Sequence, residues 1–441
     1  MFRNYFKTAW RNLVRNKVFS FINIAGLSIG LACCMLILLY NKDEVSYDRF
    51  HDNVQDIYRI THTSFTPDGK AESKTGNTGM MPGPNFKREV PEIKDFVRVQ
   101  SEQLPVKIGT QIYDQEALYA DESFFEIFNF PVKEGSKKNA LKDMYSVVLN
   151  EEVAKKFFGT SAVVGKIIEM PTGKDGAFES FTVAAVVPKS PQNSSIKIQM
   201  LLPMKLNLRE GREDNQWMNI FLNTFVVLHP DADIKKVEEK FKKVFETNAA
   251  EQIKEGKEKY NDYNTHKFGL QPMTDMHMNT EYAADNGLVD ASNPIYAKIL
   301  GGIALFMLLI ACINFVNLTI AHSLKRAKEI GLRKVIGSER KQLVLQFLSE
   351  SFLLSFFAFA FAIVLVQLVL PLFNSLSNKV LAVSYLFDAK LIAAYIVLFL
   401  ITSLLSGFYP AIILSGYNPV QTLYSRFNLG GKNYLQKTLV V

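Results

Sequence analysis

The sequence predicts an α-helical membrane protein with four transmembrane helices and a large mixed α/β extracytoplasmic domain inserted between the first and second spans. Three observations carry that expectation. First, residues 19–40, 299–321, 351–370 and 391–414 are long, apolar and free of Asp, Glu, Lys and Arg, and a helix needs about 20 apolar residues to cross the hydrocarbon core. Second, the formal charge of +7 over 441 residues divides into +5 on residues 1–41, −6 on 42–298 and +8 on 299–441. Third, Cys33, Cys34 and Cys312 all fall within the apolar stretches. The inserted domain therefore has no disulfide framework, and at this size it needs none.

Residues 1–18 read as an interfacial amphipathic helix. Phe2, Tyr5, Phe6, Ala9, Trp10 and Leu13 share one face at helical spacing, with Arg3, Lys7, Arg11 and Arg15 on the flank and opposite side. Such a helix lies among lipid headgroups, its cations near anionic lipid; a simple topogenic flank is the plainer alternative. The first span, 19–40, has an apolar core far longer than the roughly 7–15 residues of a signal peptide. It reads as an uncleaved anchor. Its Gly26-x-x-x-Gly30 pattern suits close approach of a second helix.

Residues 41–298 read as the outer domain. Strand-like runs lie at 56–62, 180–187 and 223–229, and helical patterns at 151–158 and 234–245. The stretches 79–84 and 173–176 read as loops. The second span, 299–321, carries Asn314 and Asn317 on one face, which suits hydrogen bonding to a neighbouring helix; a polar transport lining is the sharper alternative. The loop 322–342 holds seven Lys and Arg residues. The third span follows within 343–370, with Glu350 at the membrane edge, then the short loop 371–390, the fourth span 391–414 and the tail 415–441. Lys and Arg gather in 1–17, 322–342 and the tail, so both termini are expected to be cytoplasmic. A nucleic-acid-binding domain would gather its cations in a folded soluble region instead.

Familiar catalytic patterns are incomplete. Gly159 to Lys166 resembles a phosphate-binding loop, but five residues separate its glycines and Ile167 stands where a Ser or Thr is needed. Gly26–Gly30 spells G-x-S-x-G inside a span, where a strand-to-helix elbow cannot form. Met273, Met276, His277 and Met278 offer soft ligands for Cu(I), although a strand with alternating packing is the preferred reading. No catalytic residue and no metal site is assigned. On a helix, Leu324, Ala327, Leu332 and Val335 of the basic loop share an apolar stripe, which topology alone does not require and which suits docking to a partner. Glu350 is placed to pair with an Arg or Lys of this loop.

At this loop a family resemblance emerges. Residues 311–319 (ACINFVNLT), 326–337 (RAKEIGLRKVIG) and 346–351 (QFLSES) resemble the FtsX-like permease domain of ABC transporters. The stretches SYDRFH at 46–51, IYR at 57–59, DESFFEIF at 121–128, AKKFFG at 154–159 and Gly165-Lys166 resemble the MacB-type periplasmic core domain. The combination is most similar to the N-terminal half of large Bacteroidetes-type permeases. The resemblance implies a multi-pass permease of the bacterial inner membrane with its large domain in the periplasm. ATP and Mg would be bound by a separate cytoplasmic ATPase dimer, with no cofactor in this chain. The ATPase would engage the loop through Arg326, Glu329, Gly331, Arg333, Lys334 and Gly337. Its closure would move the periplasmic domain by mechanotransmission, in efflux of peptide (including antimicrobial peptide), drug-like or lipoprotein cargo.

Further partners implied are a second permease half or a second copy, a periplasmic adaptor and membrane lipid, but no nucleic acid. Two departures stand out: Val163 replaces the family's usual Pro, and the ending at residues 435–441 resembles the lead-in to a fifth span. A longer natural protein is therefore expected, with a half-size dimerising permease as the alternative. Two other functions compete: an FtsX-like regulator of a periplasmic partner such as a cell-wall hydrolase, and a membrane-anchored sensor without ATPase coupling.

Overall fold

The computed structural model describes residues 2–172, 176–208, 214–289, 291–325, 332, 334–377, 379–381 and 388–415. In chain order the elements are α1 (Phe2–Arg15), α2 (Lys17–Val45), β1 (Ile57–Phe65), β2 (Ala71–Thr75), β3 (Asn77–Thr78), α3 (Pro82–Glu89), β4 (Ile93–Ile108), β5 (Gln111–Ala120), α4 (Phe124–Ile127), β6 (Glu134–Gly135), β7 (Ser146–Asn150), α5 (Glu151–Phe158), β8 (Ile167–Met170), β9 (Glu179–Val187), β10 (Met200–Pro203), β11 (Leu222–Leu228), α6 (Ile234–Asn248), α7 (Ala250–Tyr260), β12 (Thr265–Pro272), α8 (Met273–Met276), α9 (Pro294–Lys325), α10 (Arg340–Ser377) and α11 (Ala389–Ser415). They form two compact units, Met1–Asp43 with Ile295–Val441, and Glu44–Pro294.

Among the described residues of the first unit, α2, α9, α10 and α11 are four helices long and apolar enough to cross a membrane. Each outruns its apolar stretch, because a helix leaving the bilayer keeps its own backbone hydrogen bonds and its polar ends reach water. Pro371 lies inside α10 and Pro410 inside α11. Leu27, Leu31 and Met35 of α2 pack with Leu308, Cys312 and Phe315 of α9 and with Ala358 and Ala362 of α10. The Tyr395 hydroxyl of α11 donates to the Met35 carbonyl at 3.0 Å. A Cβ on Gly407 of α11 would lie 2.9 Å from Ser351 Cβ of α10, so the absent side chain lets these helices meet closely. The amphipathic α1 has a protein neighbour as well: Trp10 and Phe357 of α10 stack obliquely, 5.8 Å between centroids.

The second unit is built on one 12-stranded sheet, with path β12-β1-β11-β4-β5-β10-β7-β9-β6. Most pairs are antiparallel. The exceptions, β5 with β10 and β7 with β9, run parallel, and the β7–β9 connection carries α5, as a parallel crossover requires. The β4–β5 hairpin turns at Gly109-Thr110, where Gly109 takes φ +59°, a backbone conformation that costs glycine little. The numerous phenylalanines are used here. Phe86 and Phe241 stack at 4.0 Å beside Trp217, Phe245 and Phe268, while Phe124, Phe128, Phe130 and Phe225 fill a second cluster.

Three local expectations need correction or refinement. Residues 79–84 are not wholly loop: α3 starts at Pro82, because proline in a first helical turn lacks only an N–H that would have no intrahelical partner. The Met-rich segment is not a strand. It begins with the helical turn α8, which buries Met273 and Met276 three residues apart. Nor does the loop at Gly159–Lys166 open a helix, as a phosphate loop must. Gly159 at φ +73° caps the end of α5, and at the following turn the Val163 carbonyl accepts from Lys166 N–H at 3.0 Å. Gly176 is described, at φ +77°; residues 173–175 lie outside the described residues.

Candidate functional site

Of the sequence-expected coupling residues, the described ones, Lys334 and Gly337, lie shortly before α10 (Arg340–Ser377). Arg326, Glu329, Gly331 and Arg333 lie outside the described residues. Lys334 is half-buried, and its ammonium donates to the Ser415 carbonyl at 2.7 Å. Arg340 Nε donates to Ser415 Oγ at 3.3 Å. Two cations thus sit at the C-terminal end of α11, where the unpaired carbonyls and the helix dipole favour positive charge. Burial, with Arg340 beside it, lowers the Lys334 pKa. Gly337 takes φ +102°, with nothing within 4 Å of where a Cβ would lie. Its N–H donates to the Lys334 carbonyl at 3.1 Å, and α10 begins three residues later. Around this turn Leu332, Val335 and Ile336 are 53%, 62% and 76% exposed. Apolar side chains and cations are therefore presented together.

Glu350 lies nearly three turns along α10 and accepts from Gln346 Nε2 at 3.2 Å. It lines a small cleft of about 40 Å³ with Asn12, Asn16, His322 and Ser351. Of the loop cations expected to pair with it, Arg326, Lys328 and Arg333 lie outside the described residues, and Lys334 and Arg340 hydrogen-bond to Ser415.

The glycine pair of α2 faces α9. A Cβ on Gly26 would lie 3.6 Å from Asn314 Nδ2, and one on Gly30 2.9 Å from Ala311 Cβ. One turn on, Cys34 Sγ donates to the Ala304 carbonyl at 3.3 Å. Residues 26, 30 and 34 thus form one face that approaches α9 along about two turns. Asn314 itself stays exposed at the edge of that contact, and Asn317 is half-buried.

Sequence reasoning did not find two ion pairs at the far end of α2. Lys42 meets Asp388 at 2.9 Å, and Asp43 meets Lys379 at 3.2 Å. Asn374 holds Leu381 from both sides, donating to its carbonyl and accepting from its N–H, each at 3.1 Å. The available signal was the Lys42-Asp43 dipeptide after the first span, matched in opposite charge by Lys379 and Asp388 in the short loop.

The MacB-like periplasmic core domain model matches residues 20–244, and the FtsX-like permease C-terminal model matches 301–419. The chain belongs to the MacB/FtsX-like ABC transporter permease family. Among its relatives, the pyoverdine export ATP-binding/permease protein PvdT of Pseudomonas syringae pv. syringae is 24% identical over 445 residues, covering 95% of this chain and 59% of that protein. An uncharacterized ABC transporter permease of Methanocaldococcus jannaschii is 23% identical over 283 residues, covering 64% of this chain and 62% of that one. A crystal structure of a permease-protein domain from Porphyromonas gingivalis is similar at TM-score 0.43 and 20% identity, covering 50% of this chain and 91% of that domain. The chain spans about 59% of the length of the PvdT relative. All of the coupling-loop positions, Glu350, Asn314 and Asn317 lie within the FtsX-like match, and Gly26 and Gly30 within the MacB-like one. Four membrane-crossing helices with a MacB-like periplasmic core domain fit an inner-membrane protein.

Proposed function

We propose that this chain is the membrane subunit through which a separate cytoplasmic ATPase dimer, holding ATP and Mg, drives conformational change in the periplasmic unit. The observation that carries the reading is the pairing of α2 with α9. These helices begin and end the insertion of the outer unit, and they pack through Gly30 and Ala311. Each is unbroken beyond its apolar stretch, α2 to Val45 and α9 from Pro294. A displacement of one inside the membrane is therefore passed to the other, and both lead directly into the outer unit. The exposed Leu332, Val335 and Ile336 beside Lys334 suit a groove on the ATPase, with apolar anchors inside a basic rim.

In this reading both termini and the 322–342 loop face the cytoplasm, because the cations concentrate there. Arg326, Glu329, Gly331, Arg333, Lys334 and Gly337 are the positions that engage the ATPase. The relatives' names include pyoverdine and macrolide export, which supports cargo export over regulation of a periplasmic hydrolase. The test is hydrogen exchange on the full chain reconstituted with its cognate ATPase. The ATP-bound state, held by a non-hydrolysing ATPase variant, should change protection in 44–60 and 275–294 relative to ADP. Identical protection in the two nucleotide states, with the ATPase bound, would refute mechanical coupling.

A further inference from the structure

The chain itself ties the entry and the exit of the outer unit to one edge of its sheet. After α2 it enters β1 at Ile57, and the residues before α9 follow β12 and α8. The strand β12 ends the sheet path and pairs with β1. Hydrogen bonds hold the returning segment on that same side. Arg59 of β1 donates to the Ala283 carbonyl at 3.0 Å, and Asn223 of β11 donates to the Asp285 and Asn286 carbonyls at 2.8 and 3.0 Å. The strand β10 lies further along the path, with β11, β4 and β5 between it and β1.

A second attachment bypasses those strands, and its hub is Asp48. This residue follows shortly after α2 and takes φ +58°, a left-handed conformation that Asp and Asn adopt more readily than other side chains. Its carboxylate is fully buried and accepts twice from Ser195, from N–H at 2.8 Å and from Oγ at 2.6 Å. Its own N–H donates to the Asn193 carbonyl at 2.8 Å, and Asn193 Nδ2 donates to the Ser46 carbonyl at 2.9 Å. Burial raises the Asp48 pKa, opposed by the two Ser195 donors and by His277 and Lys197 nearby. Opening this contact would strip a buried carboxylate of its donors, so it holds firmly.

The same short segment also holds the exit. Val289 N–H donates to the Ser195 carbonyl at 2.9 Å, and Ile196 forms an antiparallel bridge with Leu288. Ser195 therefore bonds through its N–H and hydroxyl to the residues that follow α2, and through its carbonyl to those that precede α9. From there the chain runs into β10 at Met200, which lies between β5 and β7. Asn150, at the end of β7, fixes this lead-in: its side chain donates to the Ile198 carbonyl at 3.0 Å and its N–H to the Gln199 carbonyl at 2.9 Å. A carboxylate that only stabilised its own turn would have no need of a partner bonded at the same time to the exit segment.

We infer that, within the ATPase-driven displacement proposed above, on which this role rests, Asp48 is a positioning residue that fastens the entry and exit of the outer unit to the lead-in of β10. One displacement then reaches both the β1–β12 edge and β10. The test compares the ATP-held and ADP states of the full chain, reconstituted with its cognate ATPase, by hydrogen exchange in wild type, Asp48→Gly and Ser195→Ala. Glycine accepts φ +58° and so removes the carboxylate without backbone strain. Ser195→Ala removes only the Oγ bond and keeps residue 48. Wild type should show nucleotide-dependent changes in both 57–65 and 189–203. Asp48→Gly should shrink the change in 189–203 at least about fourfold, with that in 57–65 kept within about 1.3-fold and ATPase binding within about twofold. Ser195→Ala should shrink the 189–203 change at least about twofold, and its result is decisive should Asp48→Gly not fold. Variants that lower protection in 189–203 equally in both nucleotide states, leaving the difference between the states at its wild-type size, have lost only a structural contact and overturn the assignment. A wild type in which 57–65 responds to nucleotide and 189–203 does not also overturns it, and leaves the coupling itself standing. No response in any segment, with the ATPase bound, overturns the coupling and this role together.

Discussion

Gly30 shows how far a single residue can be read ahead of its neighbours. Its spacing from Gly26 marked a face for close helix approach, but a face does not name its partner, and Ala311 became visible only with α9 in place. A Cβ at Gly30 would lie 2.9 Å from Ala311 Cβ, whereas Gly301 has open space around it. Gly30→Ala should therefore destabilise the membrane unit by about 1–3 kcal/mol in detergent unfolding. Gly301→Ala should be neutral or stabilising by up to about 1 kcal/mol, since alanine favours helix. Equal effects of the two would contradict the packing. The buried histidines were less legible, because nothing in the sequence marks His51 and His62 as enclosed. Burial pushes each down to about 4, with His266 adding to the effect at His62. Unfolded, both rings titrate near about 6.5. Between those values the unfolded chain binds protons that the folded chain refuses, so their contribution is full above about pH 6.5 and drains as pH falls towards 4. Asp48, raised chiefly by burial, works in the opposite sense at the acid end. Urea unfolding of the outer unit should show midpoints that fall from pH 7 to pH 5. His51→Gln/His62→Gln should flatten that slope even if it lowers stability throughout.

Elements with a strong apolar period were legible, and elements set by special backbone chemistry were not. The helix expected at 151–158 is α5, because Val153, Ala154 and Phe157 bury one face and Asn150 and Gly159 cap its ends. By contrast, α3 begins among prolines and glycines that ordinarily mark a loop, and α8 is too short to show a helical period. The connection between α10 and α11 reads in sequence only as the short loop 371–390, yet Lys379 and Asp388 there form the two ion pairs to α2. These pairs differ in environment. The Lys379 and Asp43 side chains are 11% and 0% exposed, against 26% and 38% for Lys42 and Asp388. Lys379→Ala takes the close cation from a buried carboxylate and should cost about 3–5 kcal/mol. Lys42→Ala should cost about 0–1 kcal/mol, as exposed pairs do. Thermal unfolding of the two variants side by side checks the order, and a larger loss for Lys42→Ala would contradict it.

At the scale of the molecule, the division into a membrane unit and an outer unit was legible from charge and apolar length alone. The charge of −6 on 42–298 sits between two positive segments, and the compact outer unit is Glu44–Pro294. The order of the sheet was not legible. The strand β1 lies beside β11 and β12, and β4 beside β11, partners more than a hundred residues apart that strand patterning cannot match. In the basic loop, Leu332, Val335 and Ile336 are exposed beside Lys334, and Lys334 and Arg340 brace the end of α11. The claim that this loop receives an ATPase is tested most directly by binding. The purified cognate ATPase should bind the full chain in nanodiscs saturably, and Glu329→Ala/Arg333→Ala should weaken that binding at least about tenfold, or about 1.4 kcal/mol. An ATPase that does not bind the wild-type chain, or binds the variant equally well, would contradict the account.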